Sequence, residues 1–179
     1  MNVPRVRTIQ TILLFGQPRQ GLLACNTTTA WTSIAIRTAQ LLSLHLLGTN
    51  PEIMPPDDPA WPPGKNALKR HVALRLWTML QHSDWISAPT SRCYQIHADQ
   101  CNTQLVENIN DWELSYTRPP VHIATSSSFE ICKWRIGDML RKTYDKLVSQ
   151  SERFSYSNVL ELDQGYRGIL DTLPSHHRR

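Results

Sequence analysis

Apolar residues that recur every three to four positions, in blocks cut apart by proline, set the first limit on how this chain folds. In "AWTSIAIRTAQLLSLHLL", residues 30 to 47, the residues Trp31, Ile34, Ala35, Leu41, Leu42 and Leu46 fall on one side of a helix. Thr27, Thr28 or Thr29 supplies a cap oxygen before it, and Gly48 stands where a glycine relieves a left-handed end. Six prolines in "TNPEIMPPDDPAWPPG", residues 49 to 64, then remove backbone donors and forbid helix, so a stiff external loop is expected.

The helical period resumes between residues 66 and 87, where Leu68, Val72, Leu76, Met79 and Leu80 form a stripe flanked by Trp77 and Trp85, and Pro89 is expected to end the helix. Residues 90 to 120 hold no sustained period and read as an irregular, packed connection. Phe129, Ile131, Trp134, Ile136, Leu140, Tyr144 and Leu147 predict a further helix, with Ser127 and Glu130 at capping-box spacing. A last helix fits "SYSNVLELDQGYRGILDTL", capped by Ser155 or Ser157, and a short one opens the chain over residues 8 to 15. No segment alternates with period two, so the expectation is an all-α multi-helix domain with a long ordered loop after the central helix, spanning residues 8–174, with frayed ends at 1–7 and 175–179.

A chain of 179 residues is long enough for one well-buried core. The net charge of +4 would suit nucleic acid if the basic residues were clustered, but they are dispersed. The densest group, Lys65, Lys69, Arg70, His71 and Arg75, reads as a solvated helix surface. No apolar run approaches the roughly 18 residues of a spanning helix, and the N-terminal "TIQTILLFG" is short for a signal peptide, so a soluble chain with no membrane partner is expected. The four cysteines show no C-x-x-C pairing, and free thiols are expected.

Three constellations could carry chemistry. Cys93, His97 and Cys101 follow at four-residue steps and would align on a helix as metal ligands, but a fourth ligand is not specified and small core cysteines are the plainer reading. Cys93 or Ser83 with His97 or His82 and Asp84 could form a nucleophilic set, yet such sets arise by chance, and no nucleophile elbow, phosphate loop or zinc-protease motif accompanies them. Trp77 and Trp85 could stack on bases, but beside an aliphatic stripe they read as core, with Trp112 and Trp134 elsewhere. No enzyme and no metal site is expected.

Taken in order, "TAQLLSLHLLG", "HVALRLWTMLQHSDW" and "YQIHADQCNTQLVENINDWEL" resemble the fungal-specific transcription factor domain, the middle homology region of binuclear zinc-cluster regulators. The resemblance runs from about Thr8 to about Pro174. Ala39, Gln40, Leu42, Leu44 and His45 match the family's helix ending in a Gly-Leu-His type sequence, with Ser43 in the usual glycine position. Arg75, Leu76, Trp77, Leu80, Asp84 and Trp85 match its arginine-tryptophan helix. Ile96, Asn102, Thr103, Asn108, Asp111, Glu113 and Leu114 match the following loop, and Thr125 with Ser128 the polar start of the next helix. His71, Leu74 and Val106 depart from the family's common glutamate, arginine and proline.

The resemblance implies a nuclear regulatory domain acting through protein partners, self-association or a small-molecule effector. It implies DNA and zinc binding only through a separate six-cysteine cluster, which no segment of this sequence can make, so no cofactor is expected in this chain. Arg75 is expected to hold Asp84 or a backbone carbonyl. Asn102, Thr103, Asn108 and Asn110 are expected to close backbone hydrogen bonds within the loop. The alternative is a small-molecule receptor whose pocket is lined by Trp77, Trp85, Met79 and Phe129.

Overall fold

The computed structural model describes residues 5–16, 25–110, 123–149 and 154–172. They form five α-helices and no strand: α1 (Val6–Gly16), α2 (Cys25–Leu41), α3 (Ala67–Ser91), α4 (Ser128–Ser149) and α5 (Tyr156–Thr172), with single 3-10 turns at Leu44–Leu46 and Ala98–Gln100. The fold is all-α, with an irregular connection after the central helix α3. That helix packs chiefly on α4, then on α2 and α1, while α5 lies against α4. No helix among the described residues is long and apolar enough to cross a membrane.

The opening helix is longer than the period suggests. Val6 and Ile9 are fully buried and Ile12 and Leu13 nearly so, one stripe facing α2, and the Val6 N–H donates to Asp58 Oδ2 at 3.0 Å. Val6 is therefore anchored core and not part of a frayed end, because the proline loop supplies the acceptor for its otherwise orphan donor.

The second helix starts earlier and stops sooner than expected. Thr28 and Thr29 lie within α2, where their carbonyls accept from the hydroxyls of Thr32 and Ser33, both at 2.9 Å. The helix ends at Leu41, since Ser43 takes the left-handed conformation with φ 55° and starts the 3-10 turn. That break rotates the apolar face: Ala35, Ile36, Ala39, Leu42, Leu44 and Leu47 are buried, whereas Trp31, Ile34, Leu41 and Leu46 are exposed. Gly48 has the expected positive φ, 58°.

Asn66 caps α3, its side-chain oxygen accepting from the N–H groups of Leu68 and Lys69 at 2.9 and 3.3 Å. Pro89 sits inside the last turn of α3 and does not end it. A proline there removes a single helical hydrogen bond, and the helix runs on to Ser91, whose hydroxyl donates to the carbonyls of Ser87 and Cys93. The buried stripe of α3 is Ala73, Leu74, Leu76, Trp77, Leu80 and Trp85, while Leu68 is exposed.

The basic start of α3 is not a solvated surface. Lys69, Arg70 and His71 are buried. Lys69 pairs with Asp57 at 2.5 Å, and the Arg70 guanidinium donates to the carbonyls of Leu47, Gly48 and Ile53. The proline loop thus folds back over α3, and its acids and carbonyls replace water around these cations.

The entry to α4 also differs from expectation. Ser127 Oγ is buried with no hydrogen-bond partner among the described residues, and Glu130 turns to Arg75, so the Ser127 and Glu130 capping box does not form. Ser128 Oγ accepts from the Thr125 N–H at 2.8 Å, while Thr125 Oγ1 accepts from the Ser127 N–H at 3.2 Å, a box shifted by two residues. At α5 Ser155 stands just before the first residue, but its N–H and hydroxyl both donate to Asn158 Oδ1, so these bonds run from the cap residue to the helix side chain and not from a helix N–H to the serine hydroxyl oxygen.

Candidate functional site

Several of the residues singled out in the sequence lie where the long loop crosses α3, and Asp84, Trp85, Asn102 and Thr103 bond backbone groups of a distant segment. Asp84 lies on α3, 4% exposed, and its Oδ2 accepts from the N–H groups of Gln95 at 2.8 Å and Ile96 at 2.7 Å. Burial pushes the Asp84 carboxyl above the usual range, and the two backbone hydrogen bonds and His97 pull it back. The neighbouring Trp85 donates from Nε1 to the Ile96 carbonyl at 2.8 Å. Successive side chains of α3 thereby satisfy both backbone groups of one loop residue.

The same wiring continues along the loop. His45 accepts at its carbonyl from the N–H groups of Asn102 and Thr103 at 3.0 and 3.3 Å. Asn102 Oδ1 accepts from the Gly48 N–H at 3.1 Å, and Thr103 Oγ1 accepts from the Leu47 N–H at 3.0 Å while donating to the Leu44 carbonyl at 2.6 Å. Further on, Asn108 Oδ1 accepts from the hydroxyls of Thr125 and Ser128, both at 2.8 Å, and Asn110 Oδ1 accepts from the Ser126 N–H at 3.0 Å. Asn102, Thr103, Asn108 and Asn110 therefore stitch the 3-10 turn and the start of α4 to the loop. Asp111 and Trp112 lie outside the described residues.

Trp77 and Trp85 are core. Trp77 is fully buried with the His45 ring 5.8 Å away, and burial holds the His45 imidazole below its ordinary pKa. Trp85 stands 5.9 Å from Trp134 and beneath the Arg141 guanidinium at 5.2 Å. Arg75 does not reach Asp84. Its guanidinium pairs with Glu130 Oε1 on α4 at 3.2 Å, since Asp84 lies about 13 Å further along the same helix, beyond the reach of the two side chains.

The proposed metal and nucleophile sets are not brought together. Apart from the 3-10 turn at Ala98–Gln100 the segment from Cys93 to Cys101 is irregular, so its four-residue steps share no α-helical face. Cys93 is exposed, His97 packs its ring 5.1 Å from Tyr94, and Cys101 Sγ donates to the His97 carbonyl at 3.2 Å. No group of three or more potential metal ligands converges among the described residues. His82 and Asp84 belong to different environments, for Asp84 faces the loop and His82 faces α4, beside Gly137.

A second feature was only partly legible in the sequence. A cavity of about 690 Å³ opens where α1, α3 and α4 meet. Its walls come from Gln10, Leu13 and Leu14 of α1, from Leu76, Thr78, Met79 and His82 of α3, and from Phe129, Glu130 and Lys133 of α4. Met79 and Phe129 line it as expected of a receptor pocket, but Trp77 and Trp85 do not, being consumed by the core. Burial, reinforced by Lys133, lowers the His82 pKa to about 4, so its imidazole is neutral at pH 7. Lining drawn from three helices carries no local motif that a sequence could reveal.

Comparison with protein-family models, curated proteins and solved structures finds no match to this chain.

Proposed function

We propose that the chain is the regulatory domain of a fungal transcription factor, nuclear and non-catalytic, modulating DNA-templated transcription through intramolecular, dimer or effector contacts. What carries the reading is Ser43. It stands at the position where the resembled family has glycine, and its backbone is left-handed at φ 55°, a conformation that favours glycine. The resemblance places a glycine there for sequence reasons alone, and the backbone gives the physical reason. Further support comes from the pairing of the resembling stretches with one another: Leu44 and His45 with Asn102 and Thr103, Asp84 and Trp85 with Ile96, and Asn108 with Thr125 and Ser128.

On this reading zinc and DNA binding belong to the family's binuclear cluster, whose closely spaced cysteine pairs this sequence lacks, and no cofactor is assigned to the chain. The test is a reporter assay in a fungal host with residues 1–179 fused to a heterologous DNA-binding domain. The expected result is output that departs from that of the DNA-binding domain alone at equal protein level. Identical output from the two, with the fusion intact, would sink the reading.

A further inference from the structure

The cavity between α1, α3 and α4 has the size of a small-molecule site, which typically spans about 300–1,000 Å³. Its apolar wall is made by Leu13, Leu14, Leu76, Met79 and Phe129, enough to take up a hydrocarbon or aromatic body. Its polar wall has an uneven charge. Glu130 is matched by Arg75 at 3.2 Å, and His82 is neutral at pH 7. Lys133 is the remaining charge. Its ammonium lies 4.4 Å from the centre of the Phe129 ring and makes no ion pair with any described residue. A cation at the edge of an apolar cavity, held over an aromatic face and with no ion-pairing acid among the described residues, is placed to meet an anionic group on a bound molecule.

We propose that this cavity binds a small apolar molecule bearing one carboxylate, with its apolar body between Leu13, Leu76 and Met79 and its carboxylate on Lys133. Binding of this kind stands apart from the transcriptional reading. A chain that binds such an acid yet leaves the reporter unmoved keeps the site and loses the regulatory role, and the reverse outcome separates them equally well.

Decanoate is a suitable probe and 1-decanol its uncharged counterpart, both titrated calorimetrically into the full chain below micelle-forming concentrations. The expected result is saturable binding of one decanoate per chain, tighter than that of 1-decanol. Lys133→Met keeps the aliphatic stem and removes the charge, and should weaken decanoate by about tenfold or more while leaving 1-decanol unchanged. Leu14→Trp, at a position 73% exposed on the cavity rim and so tolerant in folding, should weaken both probes by closing the entrance. No saturable decanoate binding, equal affinity for the two probes, or decanoate affinity unmoved by Lys133→Met would each overturn the proposal. Binding unchanged in Leu14→Trp would place the probe elsewhere and overturn it as well.

Discussion

Asp84 reaches eleven and twelve residues along the chain to bind the N–H groups of Gln95 and Ile96, so the Asp84 and Ile96 pair, 2.7 Å apart, fixes where the loop leaves α3. Because Asp84 is buried, Asp84→Ala leaves the Ile96 donor without a partner and without water. We expect a loss of about 2–4 kcal/mol, with Asp84→Asn losing less because its amide oxygen still accepts. Urea unfolding of the three proteins checks this, and a midpoint shared by all of them would refute it.

Ser43 pays for a left-handed backbone with no compensating side-chain cap. Its side chain is exposed, so Ser43→Gly removes a Cβ from a strained position and little else. The expected gain is roughly 0.5–1 kcal/mol, the relief of strain less the extra chain entropy of glycine. A rise in melting temperature is the readout, and a fall would mean that the turn relies on the serine hydroxyl.

Arg75 and Glu130 join α3 to α4 with side chains 26% and 18% exposed. Glu130 Oε2 is buried without a hydrogen-bond partner among the described residues, so removing Arg75 deprives a half-buried carboxylate of the cation that offsets its desolvation. With allowance for solvent screening, Arg75→Ala should cost about 1–2 kcal/mol, and much of that should vanish in the Glu130→Gln background. A double-mutant cycle with no coupling would show that the pair contributes nothing. Asp84→Asn should leave the effect of Arg75→Ala unchanged, because the two groups do not pair.

His82 makes stability depend on pH. Its folded pKa of about 4 lies below the ordinary 6.5, so between these values the unfolded chain binds the extra proton. Stability contributed by the neutral ring is fully present above pH 6.5 and declines as pH falls towards 4, by on the order of 3 kcal/mol in total. His45, also lowered by burial, adds in the same direction, whereas the raised carboxyl of Asp84 opposes both at the acid end of the window. Unfolding free energies at pH 7 and pH 4.5 should differ less in His82→Gln than in the parent chain. An equal difference would assign the slope to other groups.

Helix content was legible because burial in an all-α chain leaves a period of three to four in the apolar residues, and the asparagines and threonine of the loop were legible because their side chains substitute for backbone groups. The basic start of α3 misled for a definite reason. Periodicity tells which residues share a face but not what covers that face. Lys69 and Arg70 look solvated until Asp57 and the Ile53 carbonyl arrive from the folded-back loop and the carbonyls of Leu47 and Gly48 from the turn before it. The aspartates in "PPDDP" were the available signal, since acids in a stiff loop beside a basic helix start need a partner.

By itself, then, the sequence determined the class of the fold, the core tryptophans, the glycine turn at Gly48 and the polar residues that close the loop, since each depends on short-range sterics, hydrogen bonding or local amphipathicity. Tertiary structure alone decided that Asp84 finds the N–H groups of Gln95 and Ile96, that Arg75 finds Glu130, and that Leu13, Met79 and Lys133 share a cavity. Those outcomes turn on which of several acceptable partners is brought within about 3 Å by helix packing, and the strengths of hydrogen bonds and ion pairs fall away too steeply with distance for any one-dimensional pattern to record the winner.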